Sequence, residues 1–199
     1  APIFKDNFVK NSNGWDTTSN PGSFSTKIAN GSMILEDDNH LLLAALVPSS
    51  KTKNLHNFRL SADAALSHGA AKNGYGMIFR CTLDQNGDLA NYYGFEIYGD
   101  GTYIIFKHSM DAKGNATRTQ IGGDLDNVNG LIQKSNNVNH LTIIAQGNTF
   151  QFFVNNLLLT TVQDSSYQGG LVSLFVSNVQ DVNGGAQATF SHLAVYKVQ

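Results

Sequence analysis

Apolar residues recur at every second position along most of this chain, and glycine or asparagine interrupts them at short intervals. The pattern is clearest from Leu141 to Val162. Leu141, Ile143 and Ala145 alternate with Thr142, Ile144 and Gln146; after Gly147-Asn148, Phe150, Phe152 and Val154 alternate again up to Asn155-Asn156. A two-residue period places such side chains on one face of a strand, and Gly and Asn supply the positive φ that tight hairpins need. A two-residue turn at Gly147-Asn148 would pair Gln146 with Thr149. Ala145, Ile143 and Leu141 would then face Phe150, Phe152 and Val154. A second turn at Asn155-Asn156 would put Leu157 opposite Val154 and Leu159 opposite Phe152 on the same apolar face. A slip of one residue would send all of these side chains to the wrong side, so the pattern selects the register.

The same reading along the chain predicts strands near 3–9, 24–29, 32–36, 41–47, 55–66, 75–82, 92–98, 102–108, 117–121, 141–146, 149–154, 157–162, 171–178 and 187–197. The long irregular stretches are 10–23, 83–91 and 122–140, all rich in Gly, Asn and Asp as connecting loops are. No window of eleven residues or more carries a helical period. Helical surfaces are usually paved with Glu, Lys and Arg, yet only 14% of the 199 residues are charged, and Glu36 and Glu96 are the only glutamates. The 41% of apolar residues suffice for one sizeable core. The expectation is one all-β domain over 1–199, a two-sheet antiparallel jelly-roll sandwich.

Composition also excludes partners. The net charge is −2, and the basic residues cluster no further than Lys51-Thr52-Lys53, so no nucleic-acid footprint exists. No apolar run approaches the roughly 18 residues of a membrane span, so no membrane insertion is expected. Cys81 is alone and reads as a small buried hydrophobe. A start at Ala1-Pro2 is what a secreted protein would show once a leader is removed, and equally what a trimmed chain would show. The sequons at Asn30 and Asn115 are as frequent as chance allows in so Asn-rich a chain.

A second stretch allows register to be argued. A two-residue turn at Asp100-Gly101 would pair Gly99 with Thr102 and Tyr98 with Tyr103. Phe95, Ile97, Ile104 and Phe106 would then face the core, leaving Glu96, Tyr98, Tyr103, Ile105 and Lys107 on the other side. Tyr75, Met77, Phe79 and Cys81 alternate with Ile78 and Arg80 in the preceding strand. Core-to-core pairing would bring Arg80 to the Glu96 face.

Several of these segments together carry a resemblance. They are Gly74-Tyr-Gly-Met-Ile-Phe-Arg80, Tyr93-Gly-Phe-Glu-Ile-Tyr98, Asn139 to Asn155, Tyr167-Gln-Gly-Gly-Leu-Val-Ser-Leu-Phe175 and Ala188 to Tyr196. Phe4-Lys-Asp-Asn-Phe8 followed by Asn13-Gly-Trp15 fits the opening. In this order they resemble the concanavalin A-like lectin/glucanase superfamily, and within it the extracytoplasmic 3-keto-disaccharide hydrolase-like domains, long catalogued as a domain of unknown function. The resemblance implies two curved antiparallel sheets, a ligand on the concave sheet or its rim loops, and a secreted or extracytoplasmic setting. It also implies that an Arg closing the strand Gly74–Arg80 and an acid in the next strand, Tyr93–Tyr98, face the site, which here are Arg80 and Glu96.

The candidate sites follow. Glycoside hydrolysis ordinarily needs two carboxylates at a set separation, and the glucanase motif with two Glu on one strand cannot exist when Glu36 and Glu96 lie sixty positions apart. Most Asp residues sit in turn contexts. Asp84, Asn86 and Asp88 place oxygens at alternate positions, as calcium loops do, but Leu89 and Phe95 stand where such a loop needs Gly and Glu. A plain hairpin loop explains them better, with calcium as the alternative. The six histidines, at 40, 56, 68, 108, 140 and 192, show no metal-ligand spacing, and there is no Gly-x-Ser-x-Gly elbow. Tyr98 and Tyr103, beside Arg80, Glu96 and Lys107, would suit a sugar ring. They would equally suit a cross-strand tyrosine pair flanked by a surface ion pair. Trp15 reads as a core plug. The leading expectation is a carbohydrate-binding or recognition module without ordinary glycosidase chemistry. The rival is a divergent hydrolase or lyase acting on a modified disaccharide through Glu96 and Arg80. A structural or sensor domain of a surface protein is the third reading.

Overall fold

The computed structural model describes residues 1–39, 41–178 and 184–199, so His40 lies outside the described residues. Among the described residues, fourteen strands account for the regular structure apart from a single 3-10 turn at Ser50–Thr52. They are β1 (Phe4–Asp6), β2 (Phe24–Ala29), β3 (Ser32–Asp37), β4 (Leu42–Leu46), β5 (Phe58–His68), β6 (Gly74–Leu83), β7 (Leu89–Tyr98), β8 (Tyr103–Met110), β9 (Ala116–Asp124), β10 (Asn139–Gln146), β11 (Thr149–Val154), β12 (Leu157–Gln163), β13 (Leu171–Ser177) and β14 (Ala186–Lys197). Each overlaps one of the fourteen segments expected to be strands. The loops at 83–91 and 122–140 are shorter than expected, because β7 begins at Leu89 and β9 runs on to Asp124.

Two antiparallel sheets form. One has the order β12-β11-β10-β5-β14-β3-β2 with β1 added to β14; the other has the order β4-β13-β6-β7-β8-β9. Their facing sides share one core in which Phe79 of the second sheet meets Phe58, Phe150 and Phe152 of the first, with ring centroids 5.2–6.0 Å apart. Edge-on aromatic contacts of this kind add to the burial energy. Trp15 plugs the core beside Phe4 and Phe8, and its Nε1 donates to Asp6 at 2.8 Å.

The 141–154 hairpin has the predicted register, with Leu141, Ile143 and Ala145 opposite Val154, Phe152 and Phe150. The following pairing departs from it. Leu157 does face Val154, but a bulge then sets Thr160, not Leu159, opposite Phe152. Leu157 is 52% exposed, because strand β12 lies at the sheet's edge.

The 98–103 turn differs by one residue, and that changes the site. The Tyr98 amide donates to the Thr102 carbonyl and the Gly101 amide to the Tyr98 carbonyl, so the loop has three residues, with Gly101 at φ +88°. This is the three-residue hairpin closed by a left-handed glycine. Tyr103 therefore pairs with Ile97, not Tyr98. Every side chain of β8 changes sides: Ile104 and Phe106 join the Glu96 face, while Tyr103 and Ile105 enter the main core. A second irregularity acts on Arg80. Pairing of β6 with β7 shifts between Phe79 and Thr82, and Arg80 has φ +49°. The bulge turns its side chain away from Glu96 towards the gap between the sheets, against the ring of Phe150.

Candidate functional site

The outer face of the six-stranded sheet, remote from the main core, holds a second apolar cluster of Ile78, Cys81, Tyr92, Tyr98, Ile104, Phe106 and Phe175. Glycines on β6 and β7 let these side chains settle onto the backbone. A Cβ on Gly94 would run into the Phe106 ring, and one on Gly74 into the Glu96 carboxylate. Into this apolar setting β7 delivers Glu96, fully buried. Its Oε1 accepts from the Ser177 hydroxyl on β13, and its Oε2 accepts from the Tyr98 hydroxyl at 2.7 Å and from Arg118 Nη2.

Arg118 comes from β9, two strands away. Its guanidinium lies 3.7 Å above the Phe106 ring and extends from there to Glu96. It closes the network from outside and is the member that reaches solvent, with 36% of its side chain exposed. A buried carboxylate is tolerated only when paired and hydrogen-bonded, and Glu96 meets both conditions. Burial, with the neighbouring Glu96 charge, pushes the Tyr98 hydroxyl far above its ordinary range, so it stays a donor. Beside the network the Tyr92 and His108 rings stack at 4.7 Å, and His108 Nδ1 donates to the Ala90 carbonyl.

Of the residues predicted to share this face, Glu96 and Tyr98 do. Arg80, Tyr103 and Lys107 lie on the opposite side, for the register reasons above. Arg80 is a buried clamp: Nη1 donates to the Tyr167 carbonyl at 2.8 Å, and Nη2 to the His56 and Gly147 carbonyls at 2.8 and 2.6 Å. Burial lowers its pKa. Lys107 donates to Asp164 at 2.9 Å, and Asp164 also accepts from the Tyr93 hydroxyl. Burial alone would raise the Asp164 carboxyl, but the donors from Ser166, Tyr93 and Lys107 outweigh it and hold the group well below the carboxylate range. Tyr103 is core, edge-on to Phe95.

The Asp84–Asp88 segment is a hairpin loop in which Asp84 Oδ1 accepts from the amides of Asn86 and Asp88. Among the described residues, no three His, Cys, Asp or Glu side chains are grouped to hold an ion. Burial pushes the Cys81 thiol up to about 12, which leaves it unreactive. Arg118 and Ser177 were not singled out from sequence. Arg118 becomes visible only once β8 has its correct register, because His108 then pairs with both Tyr92 and Arg118. Ser177 becomes visible only through the pairing of β13 with β6, which sets it opposite Gly74, itself opposite Tyr98.

The fold and site define an all-β sandwich with one polar network set into the outer face of a sheet. No family model matches the chain, and no curated protein matches it. Solved structures match over nearly all its length. The carbohydrate-binding module CBM66 from Bacillus subtilis is 17% identical, with 92% of this chain and 96% of that one covered at a TM-score of 0.63. A Bacillus subtilis protein of unknown function with a galectin-like fold is 12% identical, with 99% and 96% covered at 0.67. The catalytic domain of an endo-1,3-beta-glucanase (laminarinase) from Thermotoga petrophila is 9% identical, with 100% and 98% covered at 0.65. The chain thus has the two-sheet, antiparallel jelly-roll fold of these structures.

Proposed function

We propose that the chain is an extracytoplasmic carbohydrate-binding module that recognises its ligand around Arg118, Glu96 and Tyr98 and does not cleave it. The neighbours' names include both binding modules and glucanases, so the site has to decide between them. The deciding observation is the set of partners around Glu96. They are an arginine, a tyrosine hydroxyl and a serine hydroxyl, and no second carboxylate bonds into the cluster among the described residues. Hydrolysis by a pair of acids therefore has one acid missing. Glu96 instead fixes the guanidinium of Arg118, whose remaining N–H groups can meet sugar hydroxyls. The hydrolase or lyase reading needs Glu96 and Arg80 on one side, and they stand on opposite faces.

A glycan array identifies a ligand, and product analysis with that glycan then tests the assignment. Wild type is expected to bind without releasing product. Product formation by wild type that disappears in Glu96→Gln, with binding retained, would establish catalysis and overturn the reading, because this change removes acid/base capacity while keeping shape.

A further inference from the structure

The outer face of the other sheet carries a separate hollow. Leu141, Ile143 and Phe152 point into the core, so alternation turns Thr142, Ile144 and Phe153 outward. With Arg59 of β5, which pairs with Ile144, and Asn156 of the next turn, they line a hollow of about 180 Å³, close to the size of one sugar ring.

Its lining combines opposite chemistries. Phe153 and Ile144 form an apolar wall, Thr142 and Asn156 bring a hydroxyl and an amide, and Arg59 brings a charge. The Arg59 guanidinium rests 5.8 Å from the centre of the Tyr196 ring and has no ion-pair partner among the described residues. Asp63 is the acid further along the outer face of β5. Its two oxygens are taken by Nδ1 of His140 at 2.6 Å and Nδ1 of His192 at 2.9 Å, so it leaves Arg59 unneutralised. An arginine beside a ring, without a carboxylate partner, suits an incoming one, because its planar fork matches carboxylate geometry.

We infer that this hollow binds one hexuronate unit of an acidic saccharide. The sugar carboxylate meets Arg59, its C–H face lies on Phe153, and its hydroxyls meet Thr142 and Asn156. The inference rests on the carbohydrate-binding reading for its ligand class, but the residues are entirely different from those around Arg118.

Titration calorimetry with trigalacturonate, and with the neutral galactose trisaccharide as comparison, tests it. Wild type should bind the acidic probe, more weakly as salt is raised, and bind the neutral one at least tenfold more weakly, by about 1.4 kcal/mol. Arg59→Gln and Phe153→Ala, each confirmed folded by its melting curve, should lose at least about tenfold, whereas Arg118→Ala should bind trigalacturonate as wild type does. Absence of uronate binding, equal affinity for the two probes, or loss in Arg118→Ala but not in Arg59→Gln would overturn the inference. Neutral glycan binding that depends on Arg118, without uronate binding, would overturn it while leaving the Arg118 site intact. Uronate binding that depends on Arg59, without any ligand dependent on Arg118, would do the reverse.

Discussion

Arg80→Met is expected to lower folding stability by about 3–5 kcal/mol, because three backbone carbonyls lose a charged donor at once. The side chain is 1% exposed and donates to three backbone carbonyls, those of His56, Gly147 and Tyr167. These belong to the approach to β5, the β10–β11 turn and the loop after β12, so one guanidinium ties three separate segments at one end of the sandwich. Hydrogen bonds to a charged donor contribute roughly 1.5–3 kcal/mol each, and methionine supplies no donor to the carbonyls left behind. The full sum is not reached, because methionine also avoids the cost of burying the charge. Arg80→Lys should fall between, since one ammonium cannot reproduce the planar fork. Urea melts provide the measurement. An unchanged midpoint in Arg80→Met, together with lost ligand binding, would instead make Arg80 a ligand contact.

Phe152→Ala should cost a similar amount, about 3–5 kcal/mol. The ring is fully buried between Phe79 and Phe95, at 6.0 and 5.1 Å, and both partners belong to the opposite sheet. Its loss would leave a cavity across the interface of the two sheets, where β strands cannot easily close it. Gln151→Ala, on the outer side of the same strand, should cost under about 0.5 kcal/mol. Equal losses in a denaturant melt would contradict the assigned register.

The architecture was legible because the period-two pattern and its turns act locally. At Gly147-Asn148 the turn residues and the flanking apolar positions agree, and the pairing followed residue by residue. The site was legible only in part. Glu96 and Tyr98 share a face simply because they are two apart on one strand. Arg80, Tyr103 and Lys107 depended on where Gly99-Asp100-Gly101 closes and on whether β6 bulges. Two glycines flanking an aspartate permit either a two- or a three-residue loop, and Ile104, Ile105 and Phe106 are apolar in a row, so hydrophobicity cannot choose between the registers. The Arg80 bulge leaves no local mark either: it puts a non-glycine residue at positive φ, with its side chain donating to carbonyls of distant segments. Arg118 stands on an edge strand of exposed polar residues, and nothing near it in sequence points to Glu96.

The central claim is that Arg118, held on Phe106 by Glu96, contacts the sugar. Its most direct test is calorimetric titration of wild type and Arg118→Ala with the glycan found on the array. Arg118→Ala should bind at least about tenfold more weakly, or about 1.4 kcal/mol, with its melting transition still cooperative. Wild-type affinity in a folded Arg118→Ala protein would contradict the account and move the site elsewhere, first to the hollow lined by Arg59 and Phe153.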